Sequence, residues 1–208
     1  AIPQGYYLQS DSFYLANYGA MQIAGNIICN KRSYGINSVV QLTDTNAMQS
    51  ILPGDYGKLV CLAGTSKKLT GNVRVRTMLT LSDAIIYTDS FELVAGTATT
   101  TATINPFSGG INGTLMQWMP ATTQTYGTAS LFPMYGAGKH FNLRVYATTA
   151  STAPVLYRVT LRPQHPGIAG LPLTDSSNAN LSVNRICATA YWETRVESGS
   201  ANGIYTVI

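Results

Sequence analysis

Strict alternation of apolar and polar side chains is the strongest regularity along the chain. In Gly71–Leu81, Val73, Val75, Leu79 and Leu81 share one face, with Thr77 between them, while Arg74, Arg76, Met78 and Thr80 take the other. Phe141, Leu143 and Val145 alternate with Asn142, Arg144 and Tyr146. Val155, Tyr157, Val159 and Leu161 alternate with Leu156, Arg158, Thr160 and Arg162. Successive side chains of a strand point to opposite faces, so each run predicts a strand with one buried face. The last two flank a Thr/Ser/Ala segment ending at Ala153-Pro154, which predicts a hairpin or a tight crossover.

Further strands are expected over Met21–Cys29, Ser38–Leu42, Lys58–Ala63, Ala84–Thr88, Phe91–Val94, Thr97–Ile104, Thr114–Met119, Thr128–Met134, Arg185–Arg195 and Gly203–Ile208. Turn signals separate them, among them Pro53-Gly54-Asp55, Asn105-Pro106, Asn112-Gly113 and Ser198-Gly199. Only Thr45–Ile51 looks helical, with Asp44 or Thr45 as N-cap and Pro53 closing it. Many short strands and almost no helix predict an all-β sandwich or barrel. No internal repeat stands out. Residues 1–20, rich in tyrosine (Tyr6, Tyr7, Tyr14, Tyr18), read as an N-terminal arm, and 167–208 as a loop followed by a C-terminal strand segment of one domain spanning 1–208.

Composition narrows the partners. Charged residues make up 11% of the 208, against about 25% in ordinary soluble domains. Small polar residues replace them, with 25 Thr and 16 Ser. At 45% hydrophobic residues the chain can bury a substantial core. The net charge of +4 is scattered, so no basic arm for nucleic acid is visible. No run approaches the ~18 apolar residues of a membrane span, and none reads as a secretory signal. The missing initiator Met points to removal of something upstream. Cys29, Cys61 and Cys187, odd in number and far apart, read as buried thiols in a reducing compartment.

Catalytic chemistry is thin. His140 and His165 have no partner at metal-ligand spacing, no G-x-S-x-G elbow occurs, and no Cys lies near a His. Gly136-Ala137-Gly138-Lys139-His140 lacks the glycine spacing and the Ser or Thr of a phosphate loop and reads as a turn. Glu193 and Glu197 could flank a glycosidic site, but Trp192-Glu193-Thr194-Arg195 reads more simply as a strand end with a local ion pair. Asn112-Gly113-Thr114 and Asn180-Leu181-Ser182 are sequons in a chain where such tripeptides are common. The expectation is a protein that is not an enzyme, with no cofactor and no metal.

Three blocks carry a resemblance. Leu59-Val60-Cys61-Leu62-Ala63 followed by Gly71 and the Val73/Arg74/Val75/Arg76 alternation resembles a segment of picorna-like virus capsid proteins. Thr128–Tyr135 looks like that family's strand ending in an apolar residue, Pro and an aromatic. Phe141–Ala147 with Val155–Pro163 is similar to its late strand pair. The resemblance implies an eight-stranded antiparallel jelly roll with N- and C-terminal extensions. It also implies a coat subunit cut from a polyprotein and assembled in the host cytoplasm with sister subunits into an icosahedral virion. Contact with the RNA genome would be weak and non-specific, and no membrane anchor is implied.

On that reading Arg74, Arg76, Arg144, Arg158, Arg162, Tyr6 and Tyr7 are the candidate inter-subunit or lumen-facing contacts; for the arginines the plain alternative is the solvated outer face of a sheet. A surface poor in charge suits burial against neighbours, where isolated charges are costly to desolvate. The second reading is a carbohydrate-binding β-sandwich, as in a lectin, adhesin or phage tail-fibre module. Trp118, Trp192, Tyr126 and Tyr135 would be its aromatic platforms.

Overall fold

The computed structural model describes residues 1–62, 66–162, 164, 173–175, 178–183, 190–199 and 205–207, with the backbone path alone for 173–175, 178–183 and 205–207. In chain order the strands are β1 (Tyr7–Leu15), β2 (Ala20–Ile23), β3 (Asn26–Tyr34), β4 (Val39–Leu42), β5 (Gln49–Ile51), β6 (Gly54–Cys61), β7 (Lys67–Leu69), β8 (Val73–Leu81), β9 (Ile85–Tyr87) and β10 (Leu93–Ala95). They continue as β11 (Thr103–Asn105), β12 (Gly110–Asn112), β13 (Thr114–Met119), β14 (Ser130–Gly136), β15 (Lys139–Ala147), β16 (Val155–Arg162), β17 (Leu173–Asp175), β18 (Asn178–Val183), β19 (Tyr191–Ser198) and β20 (Tyr205–Val207). A short 3-10 turn covers Tyr126–Thr128. The all-β expectation holds.

The strands do not form a jelly roll. A larger sheet runs β19-β16-β13-β10-β8-β6-β4-β2, with β11 also on β8, and a smaller one runs β20-β15-β14-β12-β9-β7-β5. From β2 to β13 and from β5 to β14 every pairing is parallel. From β4 to β9 the chain lays one strand in the larger sheet and the next in the smaller, so neighbours within a sheet are one full turn apart and run the same way. This is the geometry of a two-sheeted β-solenoid. Alternation identified the inward faces correctly, but an inward face says nothing about strand direction, and the antiparallel jelly roll is corrected on that ground.

The repeat that was not visible in the residues is plain in the register. Tyr7 lies opposite Asn26, Ala20 opposite Val39, Val39 opposite Lys58 and Gly54 opposite Val73, an advance of 19 residues each time. The advance lengthens where the chain makes excursions, to 25 residues between Ile85 and Gly110 and 22 between Leu93 and Leu115. What repeats is inwardness rather than identity. Val73, Leu93, Leu115 and Val159 form one ladder across four strands, each at most 1% exposed. Ile86, Ile111 and Met134 form its counterpart in the smaller sheet. Each such side chain contributes about 1.5–3 kcal/mol by leaving water.

Beyond the parallel turns the direction reverses. β14 and β15 form a hairpin closed by Ala137 and Gly138, both at positive φ, which matches the turn expected from Gly136 to His140. β15 lies in the smaller sheet and β16 in the larger, so the segment between them is a crossover and not a hairpin. β16 then extends the larger sheet antiparallel to β13, and β19 extends it antiparallel to β16.

Two other expectations change. No helix forms over Thr45–Ile51. Asp44 does act as a cap, its Oδ1 accepting from the backbone N–H groups of Asn46 at 2.9 Å and Ala47 at 3.3 Å. The chain then enters β5, where Gln49 and Ile51 are buried at the start of the smaller sheet, and tertiary burial overrides the local signal. The N-terminal twenty residues, expected as an arm that packs on something, form the solenoid's first turn. β1 pairs parallel with β3, and Ile2 bridges to Ile23. Gly25 permits this closure, because a Cβ there would lie 2.0 Å from the Tyr6 carbonyl oxygen and 2.5 Å from that of Pro3.

The β1–β3 pair does not join the smaller sheet. Tyr34, at the end of β3, turns inward and stacks on Tyr56 with ring centroids 4.6 Å apart, while Phe13 sits 6.1 Å from Tyr34. A 30 Å³ cavity lined by Ile27, Tyr34, Leu42 and Tyr56, among others, marks the gap.

Candidate functional site

Of the arginines singled out above, Arg74, Arg76, Arg158 and Arg162 lie on strands of the larger sheet and Arg144 on the smaller. Their surroundings differ. Arg74 is exposed and pairs at 3.6 Å with Asp55, its register partner one turn earlier. Arg158 binds Glu92 at 3.0 Å and also Glu197. Arg162 meets Glu193 at 2.8 Å, and this hydrogen-bonded contact holds the Glu193 carboxyl below the usual carboxylate range. Arg195 joins the group through Glu197 at 2.5 Å. These contacts form a balanced charge strip over β16 and β19, with a 170 Å³ recess between them. Glu193 and Glu197 are both committed to arginines. Arg76 is half-buried and donates to the Tyr34 carbonyl, tying β8 to the end of β3.

Arg144 has a different setting. Its guanidinium carbon lies 5.3 Å from the centroid of the Tyr126 ring, and among the described residues it has no ion-pair partner. It lines a groove of 400 Å³ whose walls are the strand approach at Thr101–Ile104 and the segment from Gly127 to Leu131. Both walls are products of the excursions that lengthen the 19-residue advance. Gln124 braces one of them, donating through Nε2 to the Thr128 carbonyl at 2.9 Å and accepting at Oε1 from the Ala147 N–H at 3.3 Å. Gln117 also lines the groove, at an inward position of β13 between Leu115 and Met119. It is 4% exposed; its Nε2 reaches the Ala102 carbonyl at 3.4 Å and its Oε1 has no hydrogen-bond partner.

Comparison with known proteins gives no match. A scan against protein-family models, a search of curated proteins and a search of solved structures each find nothing similar to this chain.

The tyrosines of the first turn stand open. Tyr6, Tyr7, Tyr14 and Tyr18 are 62–79% exposed, and Ile28 of β3 is 53% exposed. β1 has β3 on one side and, among the described residues, no strand on the other. The aromatic platforms divide: Tyr126 belongs to the groove region, while Tyr135 packs edge-on against His140 at 5.1 Å and Trp192 donates to the Phe141 carbonyl at 3.3 Å. Trp118, on β13, is half-buried beside the Gly96 turn. His165, Cys187 and the side chain of Asn180 lie outside the described residues; Cys29 and Cys61 are free thiols.

Two buried polar residues were missed. Lys67 is fully buried opposite Gln49, its Nζ donating to the Asp44 carbonyl at 2.8 Å, and desolvation lowers its pKa. Burial pushes the Cys61 thiol up to about 12. Gln117 was the other omission, and its signal was readable: a polar residue at an inward parity between two apolar ones. Among the described residues no group of three or more His, Cys, Asp or Glu could hold a metal ion, and no helix is long and apolar enough to cross a membrane.

Proposed function

We propose that this chain is a non-catalytic structural subunit that works by assembling with further protein chains through its first turn. The observation that carries the reading is the open β1 strand with Tyr6, Tyr7, Tyr14 and Tyr18 exposed around it. An unpaired strand edge offers a row of backbone donors and acceptors to a neighbour, and tyrosine is enriched where proteins meet. Low overall charge supports the same reading, since few ions need to be desolvated at a contact.

The viral coat role is the specific form of this proposal that the resemblance implied. The blocks that carry the resemblance lie here in the strands of a solenoid, so the proposal keeps assembly and drops the jelly roll. Sedimentation and electron microscopy test it. Purified material should form oligomers or larger particles, and Tyr7→Ser with Tyr14→Ser should shift it to monomers at unchanged thermal stability. A chain that stays monomeric at all concentrations, alone and in native material, sinks the proposal.

A further inference from the structure

We infer that the groove between Thr101–Ile104 and Gly127–Leu131 binds an acidic saccharide, with Arg144 receiving the ligand carboxylate and Gln117 a ligand hydroxyl. The inference is independent of assembly through the first turn. The groove's 400 Å³ falls within the ~300–1,000 Å³ common for small-ligand sites. Its floor holds a polar group with unmet capacity. Gln117 is almost wholly buried, its Oε1 is unpartnered and its Nε2 makes a single long bond to the Ala102 carbonyl. A buried acceptor without a donor is costly, and a hydroxyl arriving in the groove relieves it.

Arg144 supplies the charge selectivity. Its planar guanidinium presents a forked set of donors that matches a carboxylate, and Tyr126 packs against it. No carboxylate lines the groove, so a ligand anion meets no opposing charge there. The remaining lining includes Thr103 and Ser130, whose hydroxyls suit a polyhydroxylated ring better than an apolar ligand. A phosphodiester polymer is disfavoured, because it needs several cations in a row and the groove has one. The bracing by Gln124 means the site is formed before the ligand arrives, which limits the ordering cost of binding.

The carboxylate could belong to a uronate or a sialate, and the experiment separates them. The chain is tested on an array carrying uronate-containing, sialate-terminated and neutral oligosaccharides, and the best acidic binder is then titrated calorimetrically. Binding to at least one acidic class is expected. Arg144→Gln should weaken it about tenfold or more, the equivalent of about 1.4 kcal/mol, and erase the preference over the carboxyl-reduced form of the same saccharide. Gln117→Met should weaken binding to both forms alike. Arg144→Gln lies on the groove wall, clear of the core, and keeps the test decisive if Gln117→Met unfolds. Arg74→Gln, on the other sheet, should leave binding unchanged. No acidic saccharide bound at millimolar concentration, equal binding of the carboxyl-reduced form, or indifference to Arg144→Gln overturns the inference. None of these outcomes depends on oligomeric state, so failure here is distinct from failure of the assembly proposal.

Discussion

The middle turns of the solenoid and its first turn share parallel pairing with the turn that follows, yet only the middle is sealed. In the middle each turn supplies a strand to both sheets, and Leu59, Leu79, Ile86 and Ile111 face one another with no exposure. The first turn supplies β2 to the larger sheet, while its other strand pairs only with β3 and stands apart from the smaller one. The parallel sense of pairing is thus common to both regions where burial is not. Parallel pairing alone does not make a core; a second sheet has to close over the first. Where it does not, aromatic side chains are left facing outward, as Tyr6, Tyr7, Tyr14 and Tyr18 are in the first turn.

The sharpest way to break this comparison is to cut matched side chains in the two regions. Ile111→Ala, in the sealed ladder, should cost about 2–5 kcal/mol in denaturant unfolding. Tyr14→Ala in the first turn should change stability by less than about 0.5 kcal/mol. Equal costs would mean that the first turn is as well packed as the middle.

Alkaline titration separates the regions next. An unfolded Cys61 ionises near 9.0 whereas the buried thiol holds its proton to about 12, so stability should fall as pH rises through that window. Tyr34 and Tyr56, stacked at the junction of the two regions, are also raised by burial and add to the fall above about 10. Lys67 acts in the opposite sense, since its lowered pKa means that stability is regained as pH rises toward 10.5. Cys61→Ala should remove the onset near 9 and leave the later fall. An unchanged onset would assign the loss elsewhere.

Gly25→Ala tests whether the first turn can detach. The added methyl meets the Tyr6 and Pro3 carbonyls, and overpacking of this kind costs about 1–3 kcal/mol. Hydrogen exchange should show lost protection in β1 with β8 and β12 unaffected; uniform loss would mean the two regions unfold as one. The smallest effect is expected at the charge strip. Arg162→Gln removes an exposed pair with Glu193 and should cost about 0–1 kcal/mol.

Much of the burial was legible in the residues. Val73, Val75, Leu79 and Leu81 are buried on the face that alternation assigned them, as are Leu143, Val145, Val155, Val159 and Leu161. Strand direction was not, because a period of two is common to parallel and antiparallel sheets. The repeat escaped notice because turns share inward parity without sharing residue types: Val75, Ala95 and Gln117 occupy one ladder. Thr45–Ile51 misled because its cap is real while its continuation is decided by burial of Ile51. The groove combines residues from 101 to 144, and no local spacing announces that. Tyr126 and Arg144 each drew notice for a separate reason, and only the fold places one over the other.

Hydrogen bonds between successive turns point along the axis of the solenoid, which gives the molecule a mechanical grain. Force applied to the N-terminus loads the outermost turn alone, with β3 as its support. Each turn that peels away frees 19 residues and lengthens the chain by about 65 Å. Extension should therefore proceed in even steps through the first turns and lengthen where the advance reaches 25 residues between Ile85 and Gly110. The antiparallel strands β15, β16 and β19 continue the same two sheets at the end far from β1, so they should yield last.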